Sequence, residues 1–417
     1  MNRNTMRMKG KIKVIEITNG YVFNPDIKSF KQQTLTINSN ESETIDAQNK
    51  YIIPGLTDMH THISPFYAKY YLLSSITNVR NTAGMYELIN TIDEVSPNIY
   101  PTYKMIDGNP GLWGPSGDGH IATNDIVEAM NTVKELHAQG AKFIKVYGNI
   151  KTDVLVAVVM QAKQLGLQVA ADLIHAHEQT DALHAAKVGV KYLEHASGII
   201  QCLYSEYEPG DFEEMFFLQD VDIDSDVLDD TLDELKSRDI VLVPTLSLYR
   251  KNAFGKITVP NTNLVDKIRQ DQNVTLDEMF EKLEPSRTSN YKRYAEWEYA
   301  VMKIITKRYI DMSGKVYIGT DAPAGFWNYP GYSMIEEMNI FNELGLSPSE
   351  VLHRATVMPM EVIGKHENYV ILNNNPLDSF DHLMDIYGIV LNGKYYAKEE
   401  IESHTIDAAA IYKKFES

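Results

Sequence analysis

Two histidines, His60 and His62, stand one residue apart at the end of the apolar run IIPGLTDMHTHIS. In a β-strand, residues i and i+2 project from the same face, so both imidazoles would leave one side of a strand end. Two neutral imidazoles placed in this way provide half of a divalent-metal site. The alternative is a pair of ordinary histidines, and the rest of the chain must supply further ligands to exclude it.

The middle of the chain alternates strand-like and helix-like segments, which determine where such ligands can lie. The candidate strands are GLTDMHTHI, SITNVRNT, IYPTYKMID, FIKVYG, QVAADLIHAH, KYLEHAS, IVLVPTLSL and KVYIGTD. Amphipathic patterns such as NDIVEAMNTVKELHAQG separate most of them. Eight alternating units favour an α/β fold of the (β/α)8 TIM-barrel type over residues 55–364. An open doubly wound sheet is the alternative, although no G-x-G-x-x-G or phosphate-loop motif supports it.

Both ends of the chain are rich in β-strand signals. Asn19-Gly20 and Asn392-Gly393 each lie between strand-like runs and predict hairpin turns. We therefore expect residues 1–54 and 365–397 to form one small β-sandwich domain, followed by a C-terminal helix over 398–417.

Two segments, the acidic 199–226 and the mostly helical 250–310, interrupt the barrel pattern. Each follows a barrel strand, so each is expected over the mouth, either as a lid or in packing or subunit contacts.

Residues that can bind a metal recur where the predicted strands end. Because the carboxyl ends of barrel strands meet at one mouth, we expect these side chains to converge there. Such even placement is hard to obtain by chance, and it predicts a metal site. The residues are His60, His62, Lys145, His175, His195 and Asp321.

This set of motifs resembles the amidohydrolase superfamily, and most closely its imidazolonepropionase-like and prolidase-like branch. The matching segments are IPGLTDMHTH, SITNVRNTAG, GAKFIKVYG, the HAH of strand five, VKYLEHAS, IGTDAP and LGLSPSEVLHRATVMPMEVIG. The resemblance implies two divalent metal ions, with zinc as the default for a histidine-rich site. It assigns His60, His62 and Asp321 to the more buried ion and His175 and His195 to the other, with carbamylated Lys145 bridging both.

The sequence departs from this family in places that carry no proposed ligand. The segment QTLTINSNESETIDA is too short for the usual extra hairpin, and the glycine-rich strand pair is reduced to GKHENYVILNNNP. Asn81 stands where the family commonly has aspartate after "VR". The two shortened segments concern the details of the small sheet domain, and none of the three departures touches a proposed metal ligand.

The proposed ligands suit hydrolysis of a carbonyl compound. Metal ions lower the pKa of bound water and polarise the carbonyl under attack, and carbamylation would give Lys145 two oxygens with which to bridge two ions. Asp321 can bind metal and also accept a proton from water as the catalytic base. The alternatives are a charged Lys145 facing solvent or a core carboxylate, and a helix-capping role for Asp321 before Pro323.

Three further residues are candidates for binding substrate. His120 lies in the loop GPSGDGH after strand three, Tyr147 lies two residues after Lys145, and Arg250 follows strand seven, where it could meet an anionic group. For each of them a structural role is the alternative. His177, two residues after His175, could form a hydrogen bond that orients a metal ligand, although an ordinary surface or core position is the stronger interpretation.

The composition of the chain limits the kinds of partner that it is expected to bind. A formal charge of −18 over 417 residues argues against nucleic acid and anionic membranes. No apolar run reaches the length of a membrane span, and the N-terminus lacks the apolar core expected of a signal peptide. Cys202 is the single cysteine, which indicates a reducing cytoplasm. A small-molecule substrate is expected, and a homo-oligomer remains open.

Two classes of function are compatible with these features. The first is a metal-dependent hydrolase of a small amide, dipeptide or N-acyl amino acid, with a one-metal deaminase or cyclic-imide or lactone hydrolase as its runner-up. The second is an inactive barrel that serves in binding or assembly. An inactive relative would be expected to lose a ligand, and none is missing here.

Overall fold

A computed structural model describes residues 13–175, 180–204, 223–256 and 276–413. His177, residues 205–222 of the acidic insert and residues 257–275 of the helical insert lie outside these described ranges. The predictions made for those residues are therefore left as predictions.

The strands number seventeen in the described ranges. In chain order they are β1 (Val14–Asn24), β2 (Ser29–Asn38), β3 (Glu43–Asp46), β4 (Tyr51–Pro54), β5 (Leu56–Thr61), β6 (Ile76–Asn81), β7 (Asn98–Pro101), β8 (Met105–Asp107), β9 (His120–Ala122), β10 (Phe143–Tyr147), β11 (Gln168–Asp172), β12 (Tyr192–Glu194), β13 (Val241–Val243), β14 (Lys315–Val316), β15 (Tyr369–Leu372), β16 (Ile386–Leu391) and β17 (Lys394–Ala397).

The helices lie mainly between the strands of the middle region. They are α1 (Ala68–Leu72), α2 (Tyr86–Ile89), α3 (Ile126–Ala138), α4 (Thr152–Gln164), α5 (Ala182–Val188), α6 (Ile199–Leu203), α7 (Ser225–Ser237), α8 (Leu246–Phe254), α9 (Leu276–Leu283), α10 (Ser289–Asp311), α11 (Tyr332–Glu343), α12 (Pro348–Thr356), α13 (Met360–Ile363), α14 (Lys398–Ser403) and α15 (Ala408–Lys413), with 3-10 turns at Glu284–Ser286 and Phe380–Met384. No helix in the described ranges is both long and apolar enough to cross a membrane.

Strands from both ends of the chain form one mixed sheet. Its order is β17-β16-β15-β4-β1-β2, with β3 pairing with β1, and the two ends of the chain meet where β4 runs antiparallel to β15. Alternate residues such as Ile15, Ile17 and Ile371 pack together in a small apolar core. The described strands of the two ends thus make a single sheet, and the predicted sandwich of two sheets is not confirmed.

One of the two predicted hairpin turns is confirmed and the other is wrong. Asn392 and Gly393 connect β16 to β17, and both adopt the positive φ that a tight two-residue turn requires. Asn19 and Gly20 instead lie inside β1, where the pairing with β2 shifts register. This bulge absorbs the positive φ of Asn19, and a Cβ at position 20 would collide with Ile52.

The middle of the chain contains two parallel sheets. One has the order β5-β6-β7 and the other β14-β13-β12-β11-β10-β8-β9. Every residue of β5 and β6 is buried, as expected for parallel strands covered on both faces. The protein is therefore a mixed α/β structure built largely on parallel strands, although the assigned strands do not by themselves close into a barrel.

Several predicted elements differ in extent from the observed ones. The third predicted strand is split into β7 and β8, and β14 covers only the first two residues of KVYIGTD. In IVLVPTLSL the strand ends at Val243, because Thr245 adopts a left-handed conformation and α8 starts directly after it. The C-terminal segment contains two short helices, α14 and α15, where one helix over 398–417 was predicted. The described part of the 250–310 insert is helical, as predicted, and its long helix α10 packs against α8.

Candidate metal centre

His60, His62 and Asp321 are brought together by hydrogen bonds between β5 and the segment that follows β14. The amide of Met59 donates to Ile318 O at 3.0 Å, and the amide of Asp321 donates to His60 O at 2.7 Å. Asp321 Oδ1 then lies 3.2 Å from His60 Nε2 and 2.8 Å from His62 Nε2. These three side chains meet at the carboxyl end of β5.

His195 joins the group from the end of β12. Its backbone is left-handed, with φ at 60°, and its Nδ1 lies 2.6 Å from the Thr245 hydroxyl. Its Nε2 lies 3.7 Å from Asp321 Oδ2. One ligand atom each from His60, His195 and Asp321 can be chosen so that all lie within 4.8 Å of one another, and all three residues are buried.

The hydrogen bonds of His60 determine which of its nitrogens could bind a metal. Its Nδ1 lies 2.7 Å from Glu194 Oε2. Burial alone would raise the pKa of Glu194, but Arg80 and His60 outweigh burial and hold that pKa well below its usual range. An ionised carboxylate only accepts hydrogen bonds, so in the neutral imidazole that binds metal Nδ1 carries the proton and Nε2 keeps its lone pair.

The cluster has the donors that a cation would need. His60 Nε2 and Asp321 Oδ1 are buried and have no partner in hydrogen-bond geometry within the described ranges. Burial would lower the pKa of His60, but Asp321 and Glu194 outweigh it and raise that pKa, so the surroundings favour positive charge at this point. Two imidazoles and a carboxylate are ordinary zinc ligands. The residues therefore fit a divalent metal ion.

Buried charges surround the three ligands. Arg80 is fully buried, donates from Nη1 to Glu194 Oε1 at 2.7 Å, and stacks on the rings of Phe143 and Tyr192. Lys145 in β10 is also buried. It is one of the positive charges that act on the pKa of His60 and of Glu194, which places its amine within electrostatic reach of the cluster.

Asp172 at the end of β11 is a buried carboxylate beside His195. Its Oδ2 lies 3.3 Å from His195 Nε2, and its Oδ1 accepts a hydrogen bond from the Ser197 hydroxyl at 3.0 Å. Burial would raise its pKa, but His195 and Lys145 outweigh this effect and lower it. Asp172 therefore adds negative charge to the side of the cluster that faces β11.

Asp58 connects the two backbone segments that carry His60 and Asp321. Its Oδ1 accepts from the amides of His60 and Thr320 at 3.1 Å each, and its Oδ2 accepts from the Thr320 hydroxyl at 2.6 Å. Burial raises its pKa to about 7. This single side chain fixes β5 against the segment that carries Asp321.

The other predicted site residues lie outside the three-ligand cluster. His175 is half-buried at the end of a described range, and burial lowers its pKa. His120 lies in β9 with Nε2 3.4 Å from Gly114 O. Arg250 on α8 binds Glu343 at 3.0 Å, so its guanidinium is engaged at the surface. Tyr147 ends β10 with its ring centre 5.4 Å from Lys145 Nζ, and burial raises its pKa well above the usual range. The roles assigned to these residues stay predictions.

Sequence reasoning missed the charged residues that support the ligands. Glu194 was overlooked because strand alternation places it on the opposite face from His195, and only the left-handed turn at His195 brings both side chains inward. Arg80, Asp58 and Asp172 carry a signal that could have found them. Each is an ionisable residue within a predicted barrel strand, where both faces are expected to be covered, and a buried charge requires a partner.

The comparisons with known proteins agree with this architecture. A putative prolidase from Bifidobacterium longum is 17% identical and has a TM-score of 0.67, over 97% of this chain and 98% of that one. A Xaa-Pro dipeptidase with bound methionine in its active site is 16% identical, with a TM-score of 0.63, over 92% of this chain and 100% of that one. A bottromycin amidohydrolase is 18% identical, with a TM-score of 0.68, over 93% and 88% respectively.

No protein-family model and no curated protein matches the sequence. The likeness therefore concerns three-dimensional structure, and it extends over nearly the whole chain. It confirms at the level of the fold the resemblance inferred from the motifs. The chain has the fold of the amidohydrolases and prolidase-like proteins.

Proposed function

We propose that this protein is a metal-dependent hydrolase that cleaves the C–N bond of a small amide, dipeptide or N-acyl amino acid. The observation that carries the proposal is the meeting of His60, His195 and Asp321, from three separate strand ends, with the lone pair of His60 Nε2 directed into the group. Solved structures with this fold include a Xaa-Pro dipeptidase and an amidohydrolase, which supports C–N bond cleavage as the reaction class.

The proposal includes a closed (β/α)8 barrel. Two contacts between the parallel sheets support it. On one side the Met59 amide donates to Ile318 O at 3.0 Å, and on the other the Lys142 amide donates to Pro101 O at 2.8 Å. With both edges joined, every ligand-bearing strand would open toward one mouth, which is where barrel enzymes carry their active sites.

Asp321 is the proposed proton acceptor. Burial would raise its pKa, but His60 and His62 outweigh it and hold that pKa well below its ordinary value. Asp321 is therefore ionised at neutral pH and can take a proton on a carboxylate oxygen and pass it to the departing amine. A bound divalent metal would lower the pKa of water and polarise the substrate carbonyl. His60 and His195 would hold that ion through Nε2.

The number of metal ions separates two versions of this function. The two-ion version uses His62, His175 and a carbamylated Lys145 as further ligands, and the burial of Lys145 within reach of the cluster supports it. The one-ion version, typical of mononuclear deaminases and cyclic-imide hydrolases, is favoured by the cluster itself. His60, His195 and Asp321 match the three protein ligands and open fourth position of a catalytic zinc site.

Replacing one atom of Asp321 tests the function. Asp321→Asn keeps an oxygen for the metal but cannot accept the proton, so kcat should fall by at least about 10²-fold while the metal content is retained. The assay is hydrolysis of Xaa-Pro and other dipeptides, N-acyl amino acids, lactones and phosphotriesters, with elemental analysis of the same samples. Asp229→Asn, which removes a surface carboxylate bound to Arg308, is the matched control. More than about a tenth of the wild-type kcat in Asp321→Asn would refute the assigned role.

The same screen decides between the classes of function. Turnover of dipeptides or N-acyl amino acids that depends on the metal supports the proposal. Turnover of lactones alone would favour the one-ion alternative. A metal-free protein that hydrolyses nothing in the screen would favour the inactive barrel.

A further inference from the structure

An exposed aromatic side chain lies on the loop between β8 and β9. This loop, residues 108–119, reads GNPGLWGPSGDG. Trp113 is 66% exposed and its neighbour Leu112 is 37% exposed, whereas Trp297 and Trp327 are buried. Since the chain has three tryptophans, Trp113 is the one that solvent reaches freely. Two adjacent apolar side chains held in solvent suggest a surface that something covers.

The loop is held in place at its base by one carboxylate. Asp107 Oδ1 accepts from the amides of Gly108 and Asn149 at 2.7 and 2.8 Å, and Oδ2 accepts from the amide of Leu112 at 2.8 Å. These bonds tie the loop to the end of β10 directly before Trp113. The indole is thus presented on an organised backbone, and little conformational entropy would be lost when a ligand packs on it.

The Leu112-Trp113 pair lies over the end of the strand that carries Lys145. A Cβ placed on Gly148, directly after β10, would come 2.8 Å from Leu112 Cδ1, so the Leu112 side chain packs on the end of that strand. The preceding residue is Tyr147, whose ring lies 5.4 Å from Lys145 Nζ. The exposed Trp113 therefore directly follows a side chain that covers the end of β10, close to the buried Lys145.

We propose that Trp113 and Leu112 form an apolar wall of the substrate site and select substrates that carry a bulky apolar or aromatic side chain. The inference rests on the proposed function and narrows its substrate class. An indole offers a large, rigid contact surface with only two rotatable side-chain bonds, and tryptophans placed in this way dominate many binding interfaces. Because the Trp113 side chain is exposed, the face of its ring is open to a ligand.

Ratios of kcat/KM for pairs of peptides test the proposed preference for bulky apolar or aromatic side chains. Phe-Gly and Gly-Phe, each compared with Gly-Gly, place an aromatic side chain on either side of the scissile bond. Wild type should prefer at least one phenylalanine peptide, and Trp113→Ala should reduce that preference by about 10- to 100-fold while changing Gly-Gly hydrolysis less than about threefold. Trp113→Phe should keep most of the preference. Val127→Ala removes an equally exposed side chain, 65% accessible, from α3 and should change nothing.

Fluorescence provides a readout that does not depend on turnover. In Asp321→Asn protein, the preferred phenylalanine peptide should protect the exposed tryptophan from acrylamide quenching, whereas Gly-Gly should not, and the effect should vanish in the double variant with Trp113→Phe. Protection without hydrolysis of any peptide would support the wall and refute the proposed reaction. Hydrolysis with an unchanged phenylalanine preference in Trp113→Ala and no protection from quenching would overturn the wall and leave the reaction standing.

Discussion

Replacing Glu194 by glutamine would test the assignment of His60 as a metal ligand without touching a ligand. The carboxylate is fully buried and accepts from His60 Nδ1 at 2.7 Å and from Arg80 Nη1 at 2.7 Å. Glutamine has almost the same shape, but it carries no charge and has one acceptor oxygen in place of two. Its oxygen can serve only one of the two donors, so the other meets an amide NH₂ group.

Either orientation of the new amide disturbs the site. If its oxygen faces Arg80, its NH₂ faces His60 Nδ1, and the imidazole must move its proton to Nε2 and lose the lone pair that would bind metal. If its oxygen faces His60, the amide hydrogens face the guanidinium. Arg80 Nε and Nη2 already have no hydrogen-bond partner within the described ranges, so its charge would be left to Met59 O and two aromatic rings.

The expected magnitudes follow from these two losses. Removing one partner of a buried ion pair typically costs about 3–5 kcal/mol of unfolding free energy. Removing a hydrogen bond that orients a metal-bound histidine typically costs about 10- to 100-fold in metal affinity. Urea unfolding of metal-free protein measures the first quantity, and zinc titration against a competing chelator measures the second. Glu234→Gln, which disrupts an exposed pair with Arg238, should change stability by less than about 1 kcal/mol.

The effect of Glu194→Gln on the free energy of unfolding should depend on pH. Because the folded-state pKa of Glu194 is lowered, its contribution is complete above the ordinary carboxyl pKa of 4.5 and declines as the pH falls below that value. The stability difference between wild type and Glu194→Gln should therefore shrink between pH 5 and more acidic conditions. A variant as stable as wild type at pH 7, with unchanged zinc affinity, would show that Glu194 neither balances Arg80 nor orients His60.

Three other outcomes are expected. Chelation should abolish hydrolysis and added zinc should restore it, as measured by activity together with elemental analysis. Lys145→Ala should lower the metal content from about two ions per chain to about one if the lysine bridges a pair, and an unchanged content with full activity would remove the two-ion version. Glu298→Gln should stabilise the protein at pH 8.5 but not at pH 5 in urea unfolding, since burial raises the pKa of Glu298 to about 8 and the folded state loses stability as that group ionises between about pH 4.5 and 8. Equal curves at both pH values would contradict this burial effect.

The candidate ligands could be named from the sequence because strand periodicity and strand ends are local features. His60 and His62 follow from an i, i+2 spacing, and His195 and Asp321 follow from their positions after short apolar runs. The supporting charges depend on long-range geometry. Arg80 meets Glu194 across 114 residues of sequence, and no local pattern pairs them. The start of α8 was not predictable from the sequence for a similar reason, because the segment LSL is equally compatible with the end of a strand.

The hairpin prediction at Asn19-Gly20 failed although its physical basis was sound. The Asn-Gly pair does indicate a positive φ, and Asn19 has one. A β-bulge needs the same conformation as a tight turn. Only the pairing partners distinguish the two, and β2 continues alongside β1 on both sides of the irregularity.

Arg250 shows a different limit of the sequence. It does follow strand seven, as predicted, but its contact with Glu343 depends on the packing of α11.

Left-handed backbone conformations occur at the points where the candidate site is assembled. His195, Thr245 and Asp321 have φ values of 60°, 50° and 58°, and for residues other than glycine this conformation costs about 1 kcal/mol or more each. The three side chains are neighbours, with His195 Nδ1 2.6 Å from Thr245 Oγ1 and His195 Nε2 3.7 Å from Asp321 Oδ2. Glycine would relieve the strain at each position but would remove the atom that makes the contact. The strained backbone therefore positions the side chains: it turns the chain inward in the segments that follow β12, β13 and β14, so that a histidine, its hydroxyl partner and a carboxylate come close together.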